Sequence, residues 1–247
     1  MAFAQLHWSS SVLGKQTTTW ALLPDVGEPP FDTLYLLHGL SDDHTMWTRR
    51  TRIETYVAKR PMIVVMPDGG RGFYTNHHDG GPQWATHIGV ELPTFIERTF
   101  PAKVTRDGRH IGGLSMGGYG ALRVALGYPD RFSSANSHSG AVLGPRRRVD
   151  FPPTPEYRAI VGPHHGLAGT DNDLALLADR AKTGHLLPRL QIDCGTDDFL
   201  LEDNRSFHAA LTSAGVPHQY TEYPGGHTWD YWDDHVREAI DFHLNGQ

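Results

Sequence analysis

Arg109-His110-Ile111-Gly112-Gly113-Leu114-Ser115-Met116-Gly117-Gly118-Tyr119-Gly120-Ala121 is the stretch on which the fold turns. It opens as a short strand, Arg109 to Leu114, and closes as a small-residue helix, Gly117 to Leu126. Between them Gly113-Leu114-Ser115-Met116-Gly117 matches G-x-S-x-G, the strained strand-turn-helix that lifts a serine above a sheet edge. Glycines belong in such a turn because the chain passes too close to its neighbours to leave room for side chains. A strand directly before and a helix directly after separate this arrangement from an ordinary glycine-rich turn with a solvated serine.

The rest of the chain continues that grammar in both directions. Phe3 to Ser10 and Lys15 to Leu23 read as a strand hairpin split at Leu13-Gly14. Thr33 to Leu37, Met62 to Met66, Phe132 to Ser139, Leu190 to Cys194 and His218 to Tyr223 read as further strands. Helical segments fall at Trp47 to Lys59, Ile88 to Phe100, Glu202 to Ala214 and Asp230 to Leu244. Wholly apolar strands alternating with helices predict an α/β fold: a mostly parallel central sheet with an N-terminal antiparallel hairpin and helices on both faces. The 247 residues are read as one domain, 1–247, with an irregular, proline-rich insertion at about 141–188 lying over the sheet's C-terminal edge.

Composition narrows the function. Lys and Arg number 22 against 28 Asp and Glu, so the surface lacks the basic excess that nucleic-acid binding needs. One cysteine, Cys194, excludes an internal disulfide and a Cys-rich zinc site. The longest aliphatic run, Met62 to Met66, is far too short to span a bilayer. With no basic, apolar leader in Met1 to Gly14, the expectation is a soluble cytoplasmic protein without membrane association.

A serine hydroxyl is a poor nucleophile unless a base and an orienting acid attend it. On this architecture both partners follow the serine in the order Ser, acid, His. For the base, His227 follows Gly225-Gly226 between the last strand and the last helix, where a bendable loop can swing an imidazole over the sheet edge. His208 and His235 fall inside helices, His164-His165 in the insertion and His218 at a strand start. For the acid, Asp197 and Asp198 both leave the C-terminal end of the Leu190 to Cys194 strand, with Asp198 preferred. The oxyanion of acyl transfer needs two donors. The backbone N–H of Met116 is one, and that of Leu40 (or Gly39) in His38-Gly39-Leu40 is the other.

The chain resembles the esterase D-like family of α/β-hydrolases, in its tributyrin and acetyl esterase branch, related to the S-formylglutathione hydrolases. The resemblance rests on Leu36-Leu37-His38-Gly39-Leu40, Val65-Met66-Pro67-Asp68-Gly69, Gly112 to Ala121, Cys194 to Leu200 and Pro224-Gly225-Gly226-His227, and runs from about Phe3 to His243. It implies an α/β-hydrolase fold, Asp198 as the acid three residues after Gly195, and Leu40 with Met116 as the oxyanion donors. It also implies an oligomer, of a number that no residue fixes. The loop Ser41 to Trp47 lacks the cysteine typical of the formylglutathione hydrolases.

The resulting expectation is a serine carboxylesterase for short acyl esters, its small-molecule substrate held partly by Trp47, Tyr74 and Trp84, with Phe73 beside them. Thioester hydrolysis, or acyl transfer with the same Ser115, His227 and Asp198, is the alternative. A non-catalytic binding module on the hydrolase fold is the rival of another class. The chemistry calls for no metal and no organic cofactor. Asn76-His77-His78-Asp79 reads as a solvated loop rather than a metal site, and Arg146 to Arg148 as a solvated edge.

Overall fold

The computed structural model describes residues 1–144, 154–163 and 166–245. Its centre is an eight-stranded sheet of order β1-β2-β4-β3-β5-β6-β7-β8. The strands are β1 (Ala2–Ser10), β2 (Lys15–Leu23), β3 (Asp32–Leu37), β4 (Met62–Pro67), β5 (Arg109–Leu114), β6 (Ser134–His138), β7 (Arg189–Gly195) and β8 (Gln219–Tyr223). β1 pairs antiparallel with β2, and β2 with β4; every other pairing is parallel. The sequence expectation of a hairpin feeding a parallel sheet therefore describes the molecule.

Strand alternation distributes the apolar residues to two cores. Leu34, Leu36, Met62, Val64 and Met66 face a cluster with α1 (Met46–Arg50), α2 (Ile53–Val57) and α9 (Trp229–Leu244). Tyr35, Leu37, Ile63 and Val65 face the other cluster, with α4 (Leu92–Thr99) and α5 (Met116–Gly127). A strand buried on both sides has no polar face to show, which is why β3 and β4 read as unbroken apolar runs. The segment expected as a helix from Ile88 begins earlier, as α3 (Trp84–Thr86), and passes through a π-turn at His87–Glu91 before α4.

The stretch 141–188 differs from its expectation as an irregular loop. It contains α6 (Pro155–Val161) and α7 (Leu174–Thr183). Pro155 occupies the first turn of α6, where a missing N–H costs nothing, and the Thr154 side chain caps it by accepting from the Tyr157 amide. α7 buries Leu174, Leu177, Ala178 and Ala181, one helical stripe, behind an Asp173 cap. Proline density thus marked a helix start as well as loops. Arg146 to Arg148 and His164-His165 lie outside the described residues.

β6 is a core strand of unusual composition, Ser-Ala-Asn-Ser-His, buried throughout. Its alternate residues join a buried polar row running beneath α9 across the sheet. His243 Nε2–H donates to Asn136 Oδ1 (3.0 Å), and the Asn136 amide donates to His138 Nε2 (2.9 Å). His138 Nδ1–H then donates to Asp193 Oδ2 (2.7 Å), whose other oxygen accepts from Tyr231 (2.9 Å). At the far end Ser134 Oγ bridges His243 Nδ1 and His110 Nδ1, 2.7 Å from each. His243 can accept only at Nδ1, so Ser134 donates there and receives from His110 Nδ1–H.

Burial holds His243 well below the ordinary histidine value and pushes His110 down to about 4, against Asp32 and with Arg189 and Lys103 nearby. Both imidazoles are neutral in the folded state and gain protons on unfolding. Folded-state values lying below the unfolded one give stability that is complete above pH 6.5 and lost as pH falls toward 4. His110 alone accounts for a loss on the order of 3 kcal/mol over that range. Tm should fall between pH 7 and pH 5, and fall less in His110→Asn, whose amide N–H can replace Nδ1–H. A wild-type Tm flat over that interval would contradict neutral burial of the two rings.

Candidate active site

The C-terminal ends of β3, β5, β7 and β8 converge on Ser115. The residue closes β5 and precedes α5 with φ 52° and ψ −118°, a backbone conformation L-residues avoid. The strain is held by its surroundings: the Ser115 amide donates to the His138 carbonyl (2.9 Å), and its carbonyl accepts from Tyr119 and Ala141. A Cβ on Gly117 would lie 2.5 Å from the Leu37 carbonyl oxygen, and one on Gly113 would lie 2.6 Å from Gly117 itself. Both glycines are thus required by backbone crowding under the turn.

Ser115 Oγ lies 3.0 Å from His227 Nε2, and His227 Nδ1 lies 2.8 Å from Asp198 Oδ2. The carboxylate can only accept, which assigns the proton to Nδ1 and leaves Nε2 free to receive the serine hydroxyl's. The second Asp198 oxygen accepts from the Leu200 amide (2.8 Å). Burial alone would raise the Asp198 carboxyl; the bonds from His227 and Leu200 outweigh it and hold it below the ordinary aspartate value. The neighbouring Asp197 is exposed, and its amide donates to the Gly225 carbonyl (2.8 Å), pinning the acid turn to the histidine loop.

On the opposite flank, a Cβ on Gly39 would approach Ser115 Cβ to 3.8 Å, so the loop carrying Leu40 passes beside the serine. Met116 opens α5, and its amide is one of the first-turn donors without an intrahelical acceptor. The loop is set by His38. Its buried ring donates from Nδ1 to the Gly39 carbonyl (2.8 Å) and accepts at Nε2 from the Gly69 amide (2.9 Å).

The family model described as "Putative esterase" matches residues 10–242. The chain belongs to the esterase family. It is 32% identical to an acetyl esterase of Caldicellulosiruptor saccharolyticus, covering 98% of each chain. Among solved structures it is similar to FphF, a fluorophosphonate-binding serine hydrolase of Staphylococcus aureus, with TM-score 0.90 and 33% identity over 99% of this chain and 98% of that one. It is similar also to the S-formylglutathione hydrolase FrmB of the same organism, with TM-score 0.86 and 31% identity over 99% of both. The fold is that of the α/β-hydrolases, and the protein is a carboxylic ester hydrolase.

Three of the aromatic residues expected at the esterase's pocket, Trp47, Tyr74 and Trp84, are buried. Trp47 is buried under α9, donating to the Leu37 carbonyl (3.1 Å) and packing edge-on to Trp229. Tyr74 is wholly buried, donates to the His38 carbonyl (3.0 Å), and fills the space over Gly69 and Gly120. Trp84 is 5% exposed and covers Gly70 and Gly72. Tyr74 and Trp84 each fill a glycine-made gap, which single residues cannot announce. Phe73 does line an open cavity of about 200 Å³, with Leu40, Arg71, Tyr157 and Ile160. His78 donates its amide to Ala159. Among the described residues, no group of three or more His, Cys, Asp or Glu could hold a metal ion, and no helix is long and apolar enough to cross a membrane.

Proposed function

We propose that this esterase cleaves short-chain acyl esters, with Ser115 as nucleophile, His227 as base and Asp198 as the acid that orients it. The observation that carries the reading is the relay of 3.0 and 2.8 Å from Ser115 through His227 to Asp198. Ser115 Oγ attacks the ester carbonyl as its proton passes to His227 Nε2, and Asp198 stabilises the imidazolium without taking a proton. The amides of Leu40 and Met116 receive the oxyanion. Collapse expels the alcohol, protonated by His227, and leaves an acyl group on Ser115. Water, deprotonated by the same imidazole, then releases the acid.

Two features support a short acyl group: the likeness to an acetyl esterase and the small cavity beside Leu40. The likeness to FrmB keeps thioester hydrolysis as the second reading, since an acyl-enzyme forms equally from a thioester. Initial rates on p-nitrophenyl acetate, butyrate and octanoate, beside S-formylglutathione, test the choice. Cleavage should peak at acetate or butyrate and fall at least about tenfold by octanoate, the scale set by a pocket that must expel several methylenes into water. Octanoate turnover matching butyrate would sink the short-chain assignment, and a dominant thioester rate would move the protein to the second reading.

A further inference from the structure

Phe199 is the most exposed large apolar side chain among the described residues, 77% exposed. It follows Asp198 directly, and its ring centroid lies 4.6 Å from that of His227, tilted by 50°. The imidazole's other aromatic contact is Trp232, edge-on at 4.9 Å, itself buried. The turn beneath Phe199 is firmly held. The Asp198 amide donates to Gly195, the Leu200 amide to the Asp198 side chain, and the Leu201 amide to the Asp198 carbonyl. Its exposed neighbours Thr196 and Asp197 are polar, as water-facing turn residues usually are. A phenyl ring kept in water by a rigid turn, against the proton-carrying imidazole, is a surface awaiting an apolar group.

We propose that Phe199 is a specificity-determining residue for the alcohol half of the ester, favouring flat, apolar alcohols of the benzyl or aryl class. The inference rests on the esterase reading above. His227 Nε2 must return its proton to the departing oxygen, so that oxygen comes within hydrogen-bond reach of Nε2. The carbon chain attached to it leaves along the imidazole, where Phe199 stands. An aromatic ring arriving there can stack on Phe199 or meet it edge to face. The acyl half, whose carbonyl oxygen turns toward Leu40 and Met116, meets a different wall, formed by Leu40, Phe73, Tyr157 and Ile160. Alcohol and acyl preferences are therefore separable.

The test compares kcat/KM for benzyl acetate, ethyl acetate and ethyl butyrate in the full chain, as wild type, Phe199→Ala and Phe199→Trp. The wild type should prefer benzyl over ethyl acetate. Phe199→Ala should lower that benzyl-to-ethyl ratio about tenfold, a change on the scale of one aromatic contact. Phe199→Trp should restore it, and the butyrate-to-acetate ratio on the ethyl esters should hold within about twofold, well under the effect of one methylene. An unmoved benzyl-to-ethyl ratio would overturn the proposal, since the ring would then only buttress His227. A shift in the butyrate-to-acetate ratio would overturn it too, by placing Phe199 on the acyl side. A wild type inert on all three esters would bring down the esterase reading itself, and this one with it.

Discussion

Ser115→Ala should lose at least about four orders of magnitude in kcat on any ester the wild type cleaves, with Tm within a few degrees of wild type. The substitution removes one oxygen whose side-chain bond is to His227. The backbone at φ 52° is as acceptable to alanine as to serine, and its restraints come from main-chain bonds that alanine keeps. Nothing buried loses a partner apart from a part-exposed imidazole, so the chemistry should go while the fold stays. Ser134 supplies the internal control. It too lies against a histidine, 2.7 Å from His243 Nδ1, and the row it joins ends on Asp193. But Ser134 and Asp193 are buried in the sheet beneath α9, and His243 on the buried face of α9 itself, where no ester can enter. Ser134→Ala should therefore cost stability and leave kcat per folded molecule near wild type. The pair of variants, measured by ester turnover and by thermal unfolding on the same preparations, separates a nucleophile from a structural hydroxyl. Retained turnover in Ser115→Ala would end the assignment, as would a collapse of per-molecule kcat in Ser134→Ala.

How far the sequence could be read depended on whether a residue's environment is local. Gly113 to Gly117 announce the elbow because the crowding that demands glycine arises within one turn and the strand beside it. β3 and β4 are legible because burial on both faces leaves no polar residue in the run. Leu40, Asp198 and His227 follow from loop position relative to those strands, and the structure brings the last two within hydrogen-bond distance of one another. Trp47, Tyr74 and Trp84 are buried, and the direction of an aromatic ring is decided by gaps a single residue does not reveal; for Tyr74 these lie over Gly69 and over Gly120 in the elbow helix. The α6 and α7 helices were masked by prolines, although Thr154-Pro155 is itself a helix-start signal. Tyr231 and Asp193 give no sequence signal, because they act on each other from opposite ends of 38 residues of chain; His38 is legible as part of the oxyanion loop, but its bond from the Gly69 amide is not.

Asn136→Ala should lower stability by about 4 kcal/mol, two orphaned buried groups at roughly 1–3 kcal/mol each plus a small cavity. Asn136 links the two halves of the polar row, accepting on one side and donating on the other. Its carbonyl oxygen takes the His243 Nε2 proton, and its amide supplies the proton that His138 Nε2 needs. Only a primary amide does both in this geometry; a carboxylate would lack the donor, and a hydroxyl would not span from one ring to the other. The side chain also occupies the space over Gly112, where a Cβ would come within 1.9 Å of its oxygen, so the small residue in β5 and the amide in β6 are matched. With alanine, two imidazole nitrogens face each other across a dry gap, and each lies too deep for bulk water to reach. A loss of that size should lower Tm by roughly 10 °C for a chain of this length. The row reaches the active-site end of the sheet through Asp193, which Tyr231 grips from the start of α9, four residues after His227. Its loss should accordingly loosen the anchorage of the helix that follows the histidine loop, while the Ser115, His227 and Asp198 contacts, made by other atoms, persist in the folded fraction. Thermal unfolding of Asn136→Ala beside wild type, with turnover normalised to folded protein, measures both halves of this expectation. A Tm within 2–3 °C of wild type, about 1 kcal/mol on the same scale, would mean that the row relaxes or admits water and that its polarity is not what holds α9 to the sheet.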